Sequence, residues 1–332
     1  MAKNKASAKF KGQSKEQLLK LYHDMLLIRR LEEKSGQLYG MGKIAGFCHL
    51  YIGQEAVVTG IQPFVQEGDS IITGYRDHGH MLASGMDPRG VLAELMGRVD
   101  GFSKGKGGSM HMFSKEKNFY GGHGIVGAQA PLGTGLALAH KYQKDRGISF
   151  TYFGDGAANQ GQVYESYNMA SLWKLPVLFI IENNQYSMGT SVERHSCTTQ
   201  FYSRGLGFNI PGTCVNGMDI FDVQREAEKA VEHVRSGKGP YILEVDTYRY
   251  KGHSMSDPAK YREKEEVDSF RKHNDPILNC KQDLLDAKIC TEENLKAIDQ
   301  EIKDLMKDVV EFCENSPEPD ASELYTDVLI ED

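Results

Sequence analysis

Gly154-Asp155-Gly156-Ala157-Ala158-Asn159, followed downstream by Glu182-Asn183-Asn184-Gln185-Tyr186, decides how this 332-residue chain folds. Each run sits where an apolar segment ends. Residues 148–153 (Ile-Ser-Phe-Thr-Tyr-Phe) and 176–181 read as buried strands. Between them, from about Asn159 to Trp173, there is no Pro and no Gly after Gly161, and the length suits one crossover helix. The unit is therefore βαβ, with its strands parallel neighbours. Asp155 and Asn184 then stand at the carboxyl ends of adjacent strands, where open α/β sheets bind ligands. Their two hard oxygens suit Mg²⁺ shared with a diphosphate. Small Gly156 and Ala157 let backbone N–H groups at a helix start approach phosphate oxygens. The plain structural alternative is an Asp155 that caps a helix and an Asn184 that makes a turn.

Other glycine-rich readings fit less well. A dinucleotide-binding turn wants a third glycine three positions after the second, but the one that follows Gly156 is Gly161. This disfavours a plain nicotinamide-type dehydrogenase. Gly105-Lys106-Gly107-Gly108-Ser109 lacks the Gly-Lys-Ser/Thr of a P-loop. A net charge of −7 argues against generic nucleic-acid binding. Cys48, Cys197, Cys214, Cys280, Cys290 and Cys313 are scattered with no Cys-x-x-Cys pair, which points to a reduced compartment and no zinc site. The longest apolar runs are far shorter than a membrane span, so no membrane partner is expected.

Along the chain, residues 1–15 read as a short basic disordered arm, 16–265 as an α/β unit, and 266–332 as a helical region packing on it. Ser14 and Gln17 form a capping box for a helix to about Lys34, ended by Gly36. Residues 53–66 look helical and 70–73 extended. A helix is expected near 88–98, a glycine-rich loop from Gly101 to Gly127, and a helix over about 129–145. A polar loop spans 185–205, two further α/β elements fill 212–247, and a charged loop covers 249–264. The last helix starts at Thr291. Its Leu295, Ile298, Ile302, Leu305, Val309 and Phe312 form one stripe, for core packing or for a subunit contact.

The Gly-Asp-Gly and Asn-Asn runs resemble the thiamine diphosphate fingerprint. Gly46-Phe47-Cys48-His49-Leu50-Tyr51, Tyr75-Arg76-Asp77-His78-Gly79 and 104–112 extend the likeness, as do 188–194 and 248–258. From about residue 20 to 320 the chain resembles the α subunit of the thiamine-diphosphate-dependent pyruvate dehydrogenase component, within the 2-oxo acid dehydrogenase family. Branched-chain 2-oxo acid and acetoin dehydrogenase α subunits share the cofactor core and are the runner-up. A non-catalytic scaffold is the alternative of a different class.

The resemblance implies a doubly wound, mostly parallel α/β sheet with helices on both faces, the thiamine diphosphate-binding fold. It implies an α₂β₂ heterotetramer in which this chain supplies the diphosphate half of each site. It also implies decarboxylation of pyruvate and transfer of the acetyl unit to the lipoyl group of dihydrolipoyl acetyltransferase. The expected setting is a bacterial cytoplasm, with a mature mitochondrial protein as the alternative. Residue by residue, Asp155, Asn184 and the backbone carbonyl of Tyr186 match Mg²⁺ ligands. Tyr75 and Arg76 match diphosphate contacts, and Gly156 and Ala157 the phosphate approach. Gly124 and Val126 match backbone contacts to the aminopyrimidine ring. His49 and His253 match the histidines at the substrate end, where imidazole can exchange a proton. His78 is expected only to order loops, and His123 stands where many relatives have Asn. The carboxylate that the pyrimidine ring needs is supplied in the family by a β-subunit glutamate, and no motif here replaces it. Ser254 and Ser191 match positions phosphorylated in animal relatives, while 258–262 (Pro-Ala-Lys-Tyr-Arg) holds no serine.

Overall fold

A computed structural model describes residues 9, 10 and 12–329. In chain order the main elements are α1 (Lys15–Gly40), α2 (Glu55–Ile61), β1 (Ser70–Gly74), α3 (His78–Ala83), α4 (Pro88–Leu95) and β2 (Phe119–His123). Then come α5 (Gln129–Gln143), β3 (Ser149–Gly154), α6 (Gly161–Leu172), β4 (Val177–Asn183), β5 (Tyr186–Ser187), β6 (Thr190–Ser191) and α7 (Val192–His195). The chain continues through β7 (Gly212–Asn216), α8 (Ile220–Arg235), β8 (Tyr241–Asp246), α9 (Lys264–His273), α10 (Pro276–Asp286) and α11 (Glu292–Asn315).

Six strands form one sheet in the order β2-β1-β3-β4-β8-β7, and every pairing in it is parallel. Parallel strands must bury both faces, and β4 does so by alternation. Its Val177, Phe179 and Ile181 join Ala130, Ala137, Val163 and Tyr167 of α5 and α6, whereas Leu178 and Ile180 face the larger core that includes α1, α2 and α8. The expected doubly wound arrangement is therefore present. The chain steps from β1 to β2 on one side and to β3 on the other, so the switch in strand order falls at β1. Register aligns Gly74 with His123, Gly154 with Glu182, and Asn183 with Asp246, which brings the loops after five strands to a common edge.

Several boundaries differ from the sequence reading. The Ser14–Gln17 capping box is formed, but α1 runs through Gly36 to Gly40. Gly36 is a close-packing glycine rather than a stop: a Cβ there would meet Leu50 Cδ1 at 3.3 Å. The loop expected over 101–127 contains the edge strand β2, whose Gly121 and Gly122 hide the usual strand pattern. In α11 the Thr291 cap is formed, and Leu295, Ile302 and Val309 pack inward against the fold. Phe312 is instead 37 % exposed, and Met306 and Cys313 complete the buried face.

Residues 1–8 and 11 of the expected arm lie outside the described residues. Its end is docked: Phe10 meets Phe221 edge-on at 4.8 Å between centroids, and Lys9 pairs with Asp219 (2.7 Å) and Asp283 (2.6 Å). Among the described residues no helix is long and apolar enough to cross a membrane.

Candidate active site

A cavity of about 920 Å³ opens at the carboxyl ends of β2, β1, β3 and β4. Gly124 and Val126 reach it from the turn after β2, and Tyr75 and Arg76 from the turn after β1. Asp155, Gly156 and Ala157 follow β3, and Asn184 and Tyr186 follow β4. His49 and His253 arrive from segments outside the sheet, and their rings lie 5.1 Å apart, with Tyr75 4.6 Å from His49. Ser254 also lines the cavity, with its hydroxyl 2.9 Å from that of Ser256, and is buried. Ser191 does not reach it and sits on β6, facing a neighbouring hollow with Glu193 and Glu266.

The oxygens expected to hold a cation are unevenly engaged. Asn184 is buried; its Nδ2 donates to Gln54 Oε1 at 3.1 Å, and its Oδ1 has no partner. A buried amide oxygen left bare is costly unless a ligand completes it. Asp155 is 1 % exposed, with Oδ2 3.1 Å from His195 Nε2. The Tyr186 carbonyl accepts from Arg249 Nη1 at 3.0 Å, which leaves it one lone pair. Among the described residues no group of three His, Cys, Asp or Glu side chains could hold a metal ion alone. A hard cation here would draw its other oxygens from amide, carbonyl, water and ligand, as Mg²⁺ commonly does.

Two buried guanidiniums, Arg76 and Arg249, face the cavity and suit an anion. Arg76 Nη1 donates to Leu50 O (2.6 Å) and Nη2 to His253 O (2.8 Å), so it ties the two histidine-bearing segments together. Burial, then the charge of Arg249, pulls its pKa down to about 10. Gly156 lets the loop after β3 pack closely on Ser187: a Cβ there would fall 2.1 Å from Ser187 Oγ. These features fit a cation–diphosphate pair.

Both histidines are poised as neutral groups. Burial, then the Arg76 charge, holds His49 down at about 2 and His253 at about 4. The Nδ1 atoms of both are buried without a partner. His78 is sealed between Glu32 Oε2 (2.9 Å) and Ser109, whose Oγ is 2.8 Å away. Sequence reading missed Gln54, His195, Glu32 and Ser109 as partners in this site. It quoted Ser109, Glu182 and Arg249 inside motifs without giving them roles. Glu182 accepts from the Tyr51 hydroxyl and lies 3.4 Å from His80 Nε2.

Residues 23–322 match the dehydrogenase E1 component family. The chain belongs to that family. It is 66 % identical over 317 residues to the "pyruvate dehydrogenase E1 component subunit alpha" of Rhizobium meliloti, covering 96 % of this chain and 91 % of the relative. The protein of the same name from Zymomonas mobilis is 59 % identical over 317 residues, covering 95 % and 89 %. The mitochondrial one from Dictyostelium discoideum is 51 % identical over 320 residues, covering 96 % and 84 %. Membership of this family agrees with the α/β fold and with the thiamine diphosphate that the Gly154-Asp155-Gly156 run led us to expect.

Proposed function

We infer that this chain is the α subunit of a pyruvate dehydrogenase E1 component, an oxidoreductase that decarboxylates pyruvate and reductively acetylates a lipoyl group. The observation that carries the reading is 66 % identity to a pyruvate dehydrogenase α subunit over nearly the full chain. The cavity supports it, because it collects the expected residues around a bare Asn184 Oδ1. A scaffold would have no use for that oxygen.

Thiamine diphosphate, when bound, supplies the electron sink for loss of CO₂ from a 2-oxo acid. Asp155, Asn184 and the Tyr186 carbonyl would hold Mg²⁺, and Arg76 and Tyr75 the diphosphate. Gly156 and Ala157 admit the phosphates close to backbone N–H groups, and Gly124 and Val126 present backbone to the aminopyrimidine. His49 and His253, neutral at pH 7, line the cavity and can exchange a proton beside the substrate. The remaining half of each site, including the carboxylate for the pyrimidine ring, comes from a β subunit in an α₂β₂ assembly, and the acceptor is the lipoyl domain of dihydrolipoyl acetyltransferase. Ser254, in the cavity lining, and Ser191 are candidate phosphosites. A phosphate next to His253 would add charge and bulk where substrate enters. The setting is the bacterial cytoplasm, with a mature mitochondrial protein as the alternative.

The test mixes purified chain, Mg²⁺, thiamine diphosphate and pyruvate with and without a co-expressed β chain. Decarboxylation is expected only with β and should favour pyruvate over branched-chain 2-oxo acids and acetoin. Turnover by the α chain alone would refute the shared site.

A further inference from the structure

We propose that His195 and Gln54 are positioning residues for the cation site, each fixing which oxygen of Asp155 and Asn184 is free to ligate. This rests on the reading of Asp155 and Asn184 as cation ligands. Neither residue belongs to the motifs that revealed the site.

The His195 arm is a hydrogen-bonded network that ends on Asp155. Arg204 can only donate, and its Nη1 lies 2.8 Å from Asn159 Oδ1, so the oxygen end of that amide faces the guanidinium. The amide nitrogen of Asn159 is thereby turned to His195 Nδ1, 3.0 Å away. The Asp155 carboxylate can only accept, which calls for a ring proton on Nε2, 3.1 Å from Oδ2, while Nδ1 also meets the Ser196 hydroxyl at 2.8 Å. One carboxylate oxygen is occupied from behind and the other is left for a metal. That favours single-oxygen ligation, which matches the strict octahedral demand of Mg²⁺. Arg204 is itself steadied over the Phe201 ring at 4.4 Å. The connection ties the cation site to the segment 192–204, beyond the small β5–β6 hairpin.

The Gln54 arm works on the other ligand. Only the oxygen of an asparagine amide can bind a cation. Gln54, fully buried, accepts from Asn184 Nδ2 through Oε1 and leaves Asn184 Oδ1 bare. Gln54 Nε2 has no partner, so the two amides are set relative to each other: turning Asn184 over by itself would put two oxygens in contact. Partners behind metal ligands typically change metal affinity about 10- to 100-fold when removed.

The experiment titrates Mn²⁺ in place of Mg²⁺ into the β-paired protein with thiamine diphosphate and follows free Mn²⁺ by electron paramagnetic resonance. Far-UV circular dichroism and ligand-free melting accompany each variant. His195→Leu and Gln54→Met are each expected to weaken Mn²⁺ about 10- to 100-fold with an unchanged far-UV spectrum. His195→Gln restores a donor to Asp155 and should bind within about threefold of the parent, well short of that loss. Should His195→Leu fail to fold, His195→Phe keeps a planar ring without a donor to Asp155 and carries the test in the same direction. If Asp155→Ala abolishes Mn²⁺ binding while His195→Leu and Gln54→Met bind like the parent, the positioning roles are overturned and the cation site stands. If Asp155→Ala binds like the parent, the cation site falls and the proposal with it.

Discussion

Glu32 Oε2 and His78 Nδ1 meet at 2.9 Å, with both side chains sealed from solvent, in the wall behind His49. The pair supports the segment that carries His49 from two directions. Glu32 Oε1 accepts from the Tyr51 backbone N–H at 2.7 Å. On the far side of the imidazole, Nε2 faces the Ser109 carbonyl at 3.1 Å and its Oγ at 2.8 Å, and that Oγ accepts from the His49 N–H at 3.1 Å. The carboxylate calls for an N–H on Nδ1, and Nε2 is shared between the Ser109 hydroxyl and carbonyl.

Removing one partner of such a pair leaves a buried charge uncompensated. Glu32→Gln is expected to cost about 3–5 kcal/mol. Burial works against a proton on His78, yet the Glu32 carboxylate outweighs it and raises the pKa above 6.5. A raised native pKa contributes stability that is complete below the unfolded value of 6.5 and is lost as pH rises through the native value. The melting midpoint of the parent should therefore fall with rising pH above about 6.5 in a way that Glu32→Gln does not share. Identical pH dependence in both proteins would remove the charged pair.

His49 has the opposite sign. Burial and the Arg76 charge depress its pKa to about 2, so the native state refuses a proton that the unfolded chain takes. Its contribution is complete above 6.5 and is lost as pH falls below that value. His49→Asn is expected to flatten the acid side of the stability curve by roughly 1 kcal/mol per pH unit between pH 6 and 4. Urea midpoints at those two pH values check this, and an unflattened acid limb counts against a neutral His49.

What was legible in the chain was what local pattern encodes. Apolar runs closed by Gly154-Asp155-Gly156 and Asn183-Asn184 gave β3, α6 and β4, and so the ligand edge. Ser14 and Thr291 announced their helices through side chains that bond three residues on. What stayed hidden depends on distant partners. Gly36 looked like a stop because its role is set by Leu50, which packs on it only in the fold. Strand β2 was lost because Gly121 and Gly122 exist for the approach of Phe113 and Asp77 rather than for strand propensity. Gln54 meets Asn184 from the entrance to α2, and His195 meets Asp155 from the end of α7, so no spacing in the sequence announces either.

Arg76 makes a further prediction through its fork. A lysine ammonium cannot span both the Leu50 and His253 carbonyls from one planar group. Arg76→Lys is expected to lose a charge-assisted hydrogen bond worth about 1.5–3 kcal/mol, enough to raise opening of the 249–262 loop by at least about tenfold. Trypsin cleavage after Lys251, Lys260 or Arg262, timed without cofactor, reads that opening directly. Unchanged cleavage would mean that the loop is held by its other bonds, from Arg249 to Tyr261 Oη and from Arg262 to Lys251 O.

Gly156 offers the sharpest steric test of the loop after β3. A Cβ at this position would lie 2.1 Å from Ser187 Oγ and 2.7 Å from Ser187 Cβ, but 3.6 Å from its Cα. The first two distances are impossible contacts, while the third is ordinary van der Waals spacing. Gly156→Ala must therefore push the Ser187 hairpin away from the phosphate side of the cavity, and cofactor affinity is expected to fall by at least about tenfold, the equivalent of 1.4 kcal/mol. Ser187→Gly in the same chain removes both offending atoms. The double variant should recover most of the lost affinity for thiamine diphosphate in a calorimetric titration of the β-paired protein. Ser187→Ala, which keeps the Cβ at 2.7 Å, should recover much less. Equal rescue by the glycine and the alanine would show that the hydroxyl alone sets the spacing, and no rescue by either would move the obstruction from Ser187 to the ligand itself.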